Sequence, residues 1–486
     1  MCPARTYLEP RIQGAVLGIT EIADNVWRGI EDLGAGVSGA FSDPVIRLGV
    51  TGLSGAGKTV FITSLVANLL DRARMSGLRA EAEGRILAAY LQPQPDDTVP
   101  RFDFETHLAA LTGPDPRWPE STRAVSELRL SLRLRGSGLI AGLRGPRSVH
   151  LDIVDYPGEW LLDLGLMGRD YDEWSAEVLK RMGEREQARD YLAAIEGLDP
   201  AAPLDEPLAI SLAEKFTDYL QQARKAGYSD LTPGRFLLPG ELAGSPVLTF
   251  APLPGGVAGA RGSLAREFAR RFAAYQSKVV RPFFRDHFAR IDRQIVLVDV
   301  LGAIHAGPRA VEDLRRTMAD IMAAFRPGRV GWLTGLLGVR RIDRILFAAT
   351  KADHLHHSQH AALTRIMAAL MREAKDRADF AGAQTAAMAI ASVRATVEEV
   401  LRHDGQELAL VRGRTEDGRE AAFHPGDLPD NPAAILSAAK GGQTRWLDGD
   451  YGMMRFLPIP PGAGAVGGLP HVRLDRAAEF LIGDRL

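Results

Sequence analysis

Gly52 to Thr59 read GLSGAGKT, a complete G-x-x-x-x-G-K-[ST] pattern. Residues of these types at this spacing suit the cradling of a phosphate. The glycines at 52, 55 and 57 let the backbone fold back with its N–H groups pointing inward, where a side chain would block the anion. Ser54, Gly55, Ala56, Gly57 and Val60 are expected to line that cradle. Lys58 would supply a point charge to the β- and γ-phosphates, and the Thr59 hydroxyl a ligand to Mg2+. The helix that follows adds its positive N-terminal end.

Further short motifs stand at the ends of apolar runs. Asp155-Tyr156-Pro157-Gly158 closes the run SVHLDIV. An aspartate there lies where ligands bind in open α/β sheets, and it can hold Mg2+ through a water. Gly158 can donate its N–H to a γ-phosphate and flip when that phosphate leaves. Glu159 stands where many hydrolytic switches carry a water-orienting Gln. A carboxylate can position water, but it adds negative charge beside a phosphate whose transition state is already anionic. Slow intrinsic turnover is the expectation. Thr122 is the candidate for a second metal-reaching hydroxyl. The catalytic set is thus Lys58, Thr122, Gly158 and Glu159, and the metal set Thr59, Thr122 and Asp155.

Thr350-Lys351-Ala352-Asp353 closes the run RILFAA. A carboxylate in that place accepts hydrogen bonds from both N1–H and the exocyclic amine of guanine, a donor pair that adenine lacks. The Lys351 stem can lie across the base plane. At the end of the next apolar run, Ser392 and Val393 could offer a backbone N–H to the guanine O6, and Arg394 could reach a phosphate or a helix end. In HLHHSQH, His356 and His360 have a spacing that can bind zinc on a helix. No H-E-x-x-H pattern accompanies them, so a polar first turn of a helix is expected.

These motifs need a scaffold of strands. VIRLGVTG and RQIVLVDVL read as buried parallel strands, and AAMAIA as the last one. SELRLSLRLR alternates as an edge-type strand, antiparallel to the one that ends in Asp155. Residues 71–119 read as an apolar-then-polar helix and a Pro-rich loop. The segment between Trp160 and Asp292 is far too long for a plain loop and is helical by pattern. Its last helix carries Phe268, Phe272, Tyr275 and Val279 as one core-type stripe. Residues 1–43 show helical spacing, and Trp332, Leu333, Leu336 and Leu337 read as a packed loop. A hairpin is expected around Glu416-Asp417-Gly418, and a helix closes the chain. The implied fold is α/β: a P-loop NTPase G-domain, mostly parallel sheet with helices on both faces, carrying a large helical insertion and a small C-terminal β-containing appendage. The expected bounds are 1–43 for an N-terminal helical extension, 44–160 and 293–400 for the G-domain, 161–292 for the insertion and 401–486 for the appendage.

Composition narrows the class further. The 486 residues are 46 % hydrophobic and 25 % charged, as in an ordinary globular protein. A net charge of −2 implies no global attraction to nucleic acid or anionic lipid. The single cysteine, Cys2, excludes an internal disulfide framework and points to a reducing compartment. No apolar run approaches the roughly 20 residues that span a bilayer. A cytoplasmic protein is the expectation.

RLGVTGLSGAGKTVFITSLVANLL, LDIVDYPGEWL, IVLVDVLGAIHAG, TKADH and ASVRAT together resemble the YcjX-like family of stress-associated bacterial P-loop proteins. The resemblance runs over nearly the whole chain, to the closing RLDRAAEFLIGDRL. It implies a G-domain with helical insertions, binding of GTP and GDP with Mg2+, and a stress-linked role. The reading is a GTP-hydrolysing regulatory switch acting on an unknown protein effector, with no nucleic-acid partner. Peripheral membrane contact and dimerisation stay open. An ATP-driven enzyme, either an ATPase or a phosphotransferase, is the second reading and treats TKAD as accidental; a binding module that nucleotide only stabilises, without turnover, is the third.

Overall fold

The computed structural model describes residues 43–486 apart from 54, 121–123, 137–144, 257–258, 288–289, 325–341, 404–405, 444, 447–450 and 460–466. The helical reading of residues 1–42, the Trp332 loop, Ser54 and Thr122 lie outside the described residues.

In chain order the strands are β1 (Val45–Gly52), β2 (Ile86–Gln92), β3 (Ser126–Leu134), β4 (Arg147–Asp155), β5 (Arg293–Val298), β6 (Arg344–Ala349) and β7 (Gln384–Ala389). They form one seven-stranded sheet in the order β2-β3-β4-β1-β5-β6-β7. From β4 to β7 all neighbours run parallel, whereas β2 and β3 are antiparallel additions. Register aligns the C-terminal ends: Val50 is opposite Asp155, Gly52 opposite Leu297, and Val298 opposite Ala349, itself opposite Ala389. The motifs therefore share one sheet edge, the edge where open α/β sheets bind ligands.

Helices cover both faces. On one side α1 (Lys58–Asp71) buries Phe61, Leu65 and Leu69 against the sheet. On the other side the core continues from Val296 and Phe347 into the insertion without a break. The helices there include α2 (Gly158–Leu162), α3 (Glu206–Lys225) and α4 (Leu264–Tyr275). Aromatic packing holds them, with Trp174 stacked on Phe272 at 5.0 Å between centroids. The stripe of Phe268, Phe272, Tyr275 and Val279 is core, as its spacing suggests. Helix α5 (Leu474–Ile482) returns to the α1 side of the sheet and buries Leu474, Leu481 and Ile482 there.

Two expectations are corrected. The run SELRLSLRLR is not an edge strand: β3 is second from the edge, with β2 outside it. Its leucines at 128, 130, 132 and 134 are buried, while Arg129 and Ser131 on the other face pair with Asp152 and His150. Between residues 71 and 119, β2 lies where a helix was expected, with a short helix before it and Phe104–Thr112 after it. ILAAYLQ is a brief apolar run, and periodicity alone does not separate strand from helix at that length. The expected hairpin is β9 (Gln406–Arg414) and β10 (Glu420–Phe423), joined by β8 (Thr396–His403) into a three-stranded antiparallel sheet.

Candidate nucleotide-binding site

The turn after β1 has the backbone that its glycines foretell. Gly55 and Gly57 adopt φ of 76° and 83°, where an L side chain is strained although open space surrounds both. Lys58 begins α1, is 9 % exposed, and donates from Nζ to the Gly52 carbonyl at 2.7 Å. The ammonium is thus folded over its own loop. Thr59 is buried one residue on, in the first turn of the helix, where its hydroxyl approaches the Glu120 carbonyl at 3.4 Å.

Asp155 ends β4 beside Val50 and is 1 % exposed. Gly158 lies so close to the end of β1 that a Cβ built on it would stand 1.9 Å from the Gly52 carbonyl oxygen. DYPG is therefore packed directly against the phosphate loop. Glu159 is buried, and its Oε1 accepts from Arg224 Nη2 of α3 at 2.8 Å. Arg235 stacks over Trp160 at 3.2 Å, and the Trp160 indole donates to the Leu238 carbonyl at 3.0 Å. Asp163, which follows α2, accepts from the Gly234 N–H at 2.7 Å and the Tyr275 hydroxyl at 2.5 Å. Burial pushes its carboxyl up to about 6, against the pull of those hydrogen bonds.

A second group of candidate residues stands at the ends of β6 and β7. Asp353 is 5 % exposed, and its Oδ2 accepts from the Ala395 N–H at 2.8 Å. The Thr396 hydroxyl caps the Asp353 carbonyl. Lys351 takes a left-handed φ of 60° and pairs with Asp299, which in turn caps the helix after β5 through Gly302 N–H at 2.9 Å. The loop of Ser392 and Val393 is held from three sides. Ser64 of α1 donates to the Ser392 carbonyl, Ala391 and Val472 exchange backbone hydrogen bonds, and Arg394 N–H reaches the Pro470 carbonyl at 2.7 Å. The Arg394 side chain turns to Glu398 at 3.1 Å.

His360 is spent on the same turn. Its ring is 2 % exposed, with Nε2 2.7 Å from the Ala352 carbonyl and Nδ1 3.2 Å from Arg473. Burial, with the Arg473 charge second, lowers its pKa, so the neutral ring donates from Nε2 and accepts at Nδ1. This commits His360 away from a zinc site with His356. The short turn His357–Gln359 then leads into the His360–Leu370 helix, the polar start expected.

The sheet edge thus gathers Lys58, Thr59, Asp155 and Gly158 near β1 and β4, and Lys351, Asp353, Ser392 and Val393 beyond β5. Sequence reading missed Arg224, Asp163 and the positioning role of His360. Arg224 and Asp163 belong to no short motif and act through contacts distant in sequence, whereas His360 lies in HLHHSQH but turns back on the Ala352 carbonyl.

Fold and site together define a P-loop protein of the α/β class. The chain belongs to the YcjX-like family, DUF463, whose model matches residues 46–486. A relative from Escherichia coli, named Ras-like GTPase YcjX, is 39 % identical over 459 residues, covering 91 % of this chain and 96 % of that protein. A relative of the same name from Shewanella oneidensis is 34 % identical over 476 residues, covering 92 % of this chain and 95 % of that one. Among the described residues, no helix is long and apolar enough to cross a membrane.

Proposed function

We propose that this chain binds guanine nucleotide, hydrolyses GTP with Mg2+, and acts as a regulatory switch. The observation that carries the reading is Asp353. Its carboxylate is buried, anchored by the Ala395 N–H at 2.8 Å, and stands on the sheet edge that also bears the phosphate loop. A carboxylate has lone pairs to spare beyond one backbone donor, and guanine presents two adjacent donors to meet them. The relatives' name, Ras-like GTPase, agrees with that chemistry.

The roles follow from the residue types. Lys58 exchanges the Gly52 carbonyl for phosphate oxygens. The glycine-rich turn offers its N–H groups to the same anion. A bound Mg2+ would be held by Thr59 and, through water, by Asp155, and would offset charge on the phosphate oxygens. Asp155 suits it as a buried carboxylate at a strand end. Thr122 is retained as the proposed metal-reaching residue of the preceding loop. The Gly158 N–H reports the γ-phosphate, and Glu159 orients water, with slow intrinsic turnover as the consequence of its charge. Ser392 and Val393 offer backbone to the base, and the Lys351 stem covers its plane. The effector is a protein that reads the insertion and the loops bearing Thr122 and Gly158. The stress-linked role and the cytoplasmic setting rest on the family resemblance and the lone cysteine.

Competition of GDP and ADP for a fluorescent guanine nucleotide tests the reading. GDP should displace the probe at concentrations at least about thirtyfold below ADP, the discrimination of two lost hydrogen bonds at about 1–3 kcal/mol each. Equal displacement by ADP would refute base selection.

A further inference from the structure

The insertion grips the segment after DYPG, and one contact falls on its first residue, Glu159. Glu159 follows Gly158, whose Cβ position lies 1.9 Å from the Gly52 carbonyl oxygen. The Glu159 backbone is confined from the other side as well: a Cβ on Gly234 would stand 1.8 Å from the Glu159 carbonyl oxygen. Between these two close approaches, its side chain points to Arg224 Nη2 at 2.8 Å. Arg224 lies in the last turn of α3, a 20-residue helix of the insertion. Glu159 is 5 % exposed, and the Arg224 side chain keeps 30 % exposure. The pair therefore joins the buried carboxylate that follows DYPG to a partly exposed cation on the insertion.

Charge decides what such a pair is for. An isolated carboxylate next to a polyanion repels it, and more strongly the less water lies between. An arginine on the carboxylate offsets that repulsion and fixes its orientation through a planar fork. Resting on the GTPase reading above, we propose that Arg224 is a positioning residue for GTP hydrolysis. It holds the Glu159 carboxylate in one orientation and offsets its charge against the γ-phosphate. Turnover then depends on how the insertion is seated on the G-domain, which gives an insertion-binding partner a direct lever on the rate.

The test uses the full chain: single-turnover GTP hydrolysis and fluorescent-GDP affinity for wild type, Arg224→Lys, Arg224→Met, Glu159→Gln and the two Arg224 changes in the Glu159→Gln background. Arg224→Met should slow the single-turnover step about tenfold or more, while GDP affinity stays within about twofold. Arg224→Lys should recover part of the rate, since it restores charge without the fork. In the Glu159→Gln background either change should cost less than about twofold, because its target is gone. A wild-type rate in Arg224→Met, the same fold-loss in both backgrounds, or a rate loss matched by an equal loss of GDP affinity would overturn the assignment. If Arg224→Met does not fold, Arg224→Lys in the two backgrounds carries the same comparison and the same contrary result. Wild-type protein that neither binds GDP nor hydrolyses GTP would instead sink the underlying GTPase reading.

Discussion

In the proposed reading Asp353 meets both the base and the Ala395 N–H, and that makes one substitution cleaner than another. Alanine there would remove the proposed base contact and also strand the buried Ala395 N–H from which Oδ2 now accepts at 2.8 Å. Asparagine keeps an oxygen for Ala395 and turns an NH2 group toward the base. Guanine meets that group with a donor, whereas xanthine meets it with a carbonyl. Asp353→Asn should therefore weaken GDP and strengthen the xanthine nucleotide, shifting their affinity ratio about a hundredfold, as read by competition binding. An unchanged ratio would mean that the base lies elsewhere. Gly158 offers a residue-scale test of how DYPG packs on the end of β1. A methyl placed 1.9 Å from the Gly52 carbonyl must displace backbone, so Gly158→Ala should cost about 1–3 kcal/mol in chemical denaturation without nucleotide. At this scale the sequence was informative wherever a motif is contiguous: GLSGAGKT, DYPG and TKAD could be read off directly. Arg224 could not, because its meaning lies in a partner that the chain supplies far away.

Among the elements, the segment from α2 to Asp163 is the joint between the phosphate-loop end of the sheet and the insertion. Asp163 accepts from Gly234 and from Tyr275 of α4, and desolvation raises its carboxyl from 3.8 to about 6. The raised value sets the sign. Protonated Asp163 contributes stability in full below about pH 4; that contribution is lost as pH rises to about 6, and nothing changes above. Asp163→Asn should remove this slope and leave the protein at least as stable at pH 7, since an amide can serve both partners. Asp313, also raised to about 6 by burial, titrates in the same window, so the comparison is the difference between variant and wild type in urea melts from pH 4 to 7. A slope unchanged by the substitution would show that Asp163 does not titrate there. Element type was legible where apolar runs are long or bounded by motifs, as for β1, β4, β5 and β6. It failed for β2, a short run that a central helix would equally explain, and for β8, whose charged residues hide its strand period.

At the scale of the whole molecule, the last residues belong to the first core. Helix α5 buries Leu474, Leu481 and Ile482 beside α1, and buried Arg293 of β5 reaches the Leu481 carbonyl at 3.0 Å and Asp484 at 2.9 Å. The strand of backbone before it pins the Ser392 loop through Val472 and Pro470. Removing residues 474–486 would expose side chains worth about 1.5–3 kcal/mol each, against a total stability of about 5–15 kcal/mol. The truncated chain should be insoluble or lack a cooperative thermal transition; a soluble chain that melts near wild type would deny α5 that role. The closing helix was legible as a helix, but its return to the α1 face was not, since nothing local encodes which face a distant helix covers. The central claim is that one sheet edge joins a phosphate loop to a guanine-selecting carboxylate. It is tested most directly by phosphate release from GTP and from ATP, each with Mg2+, under single-turnover conditions with the full chain. The expected result is release from GTP, abolished by Lys58→Ala, with none from ATP; release from ATP at a rate equal to that from GTP would contradict it.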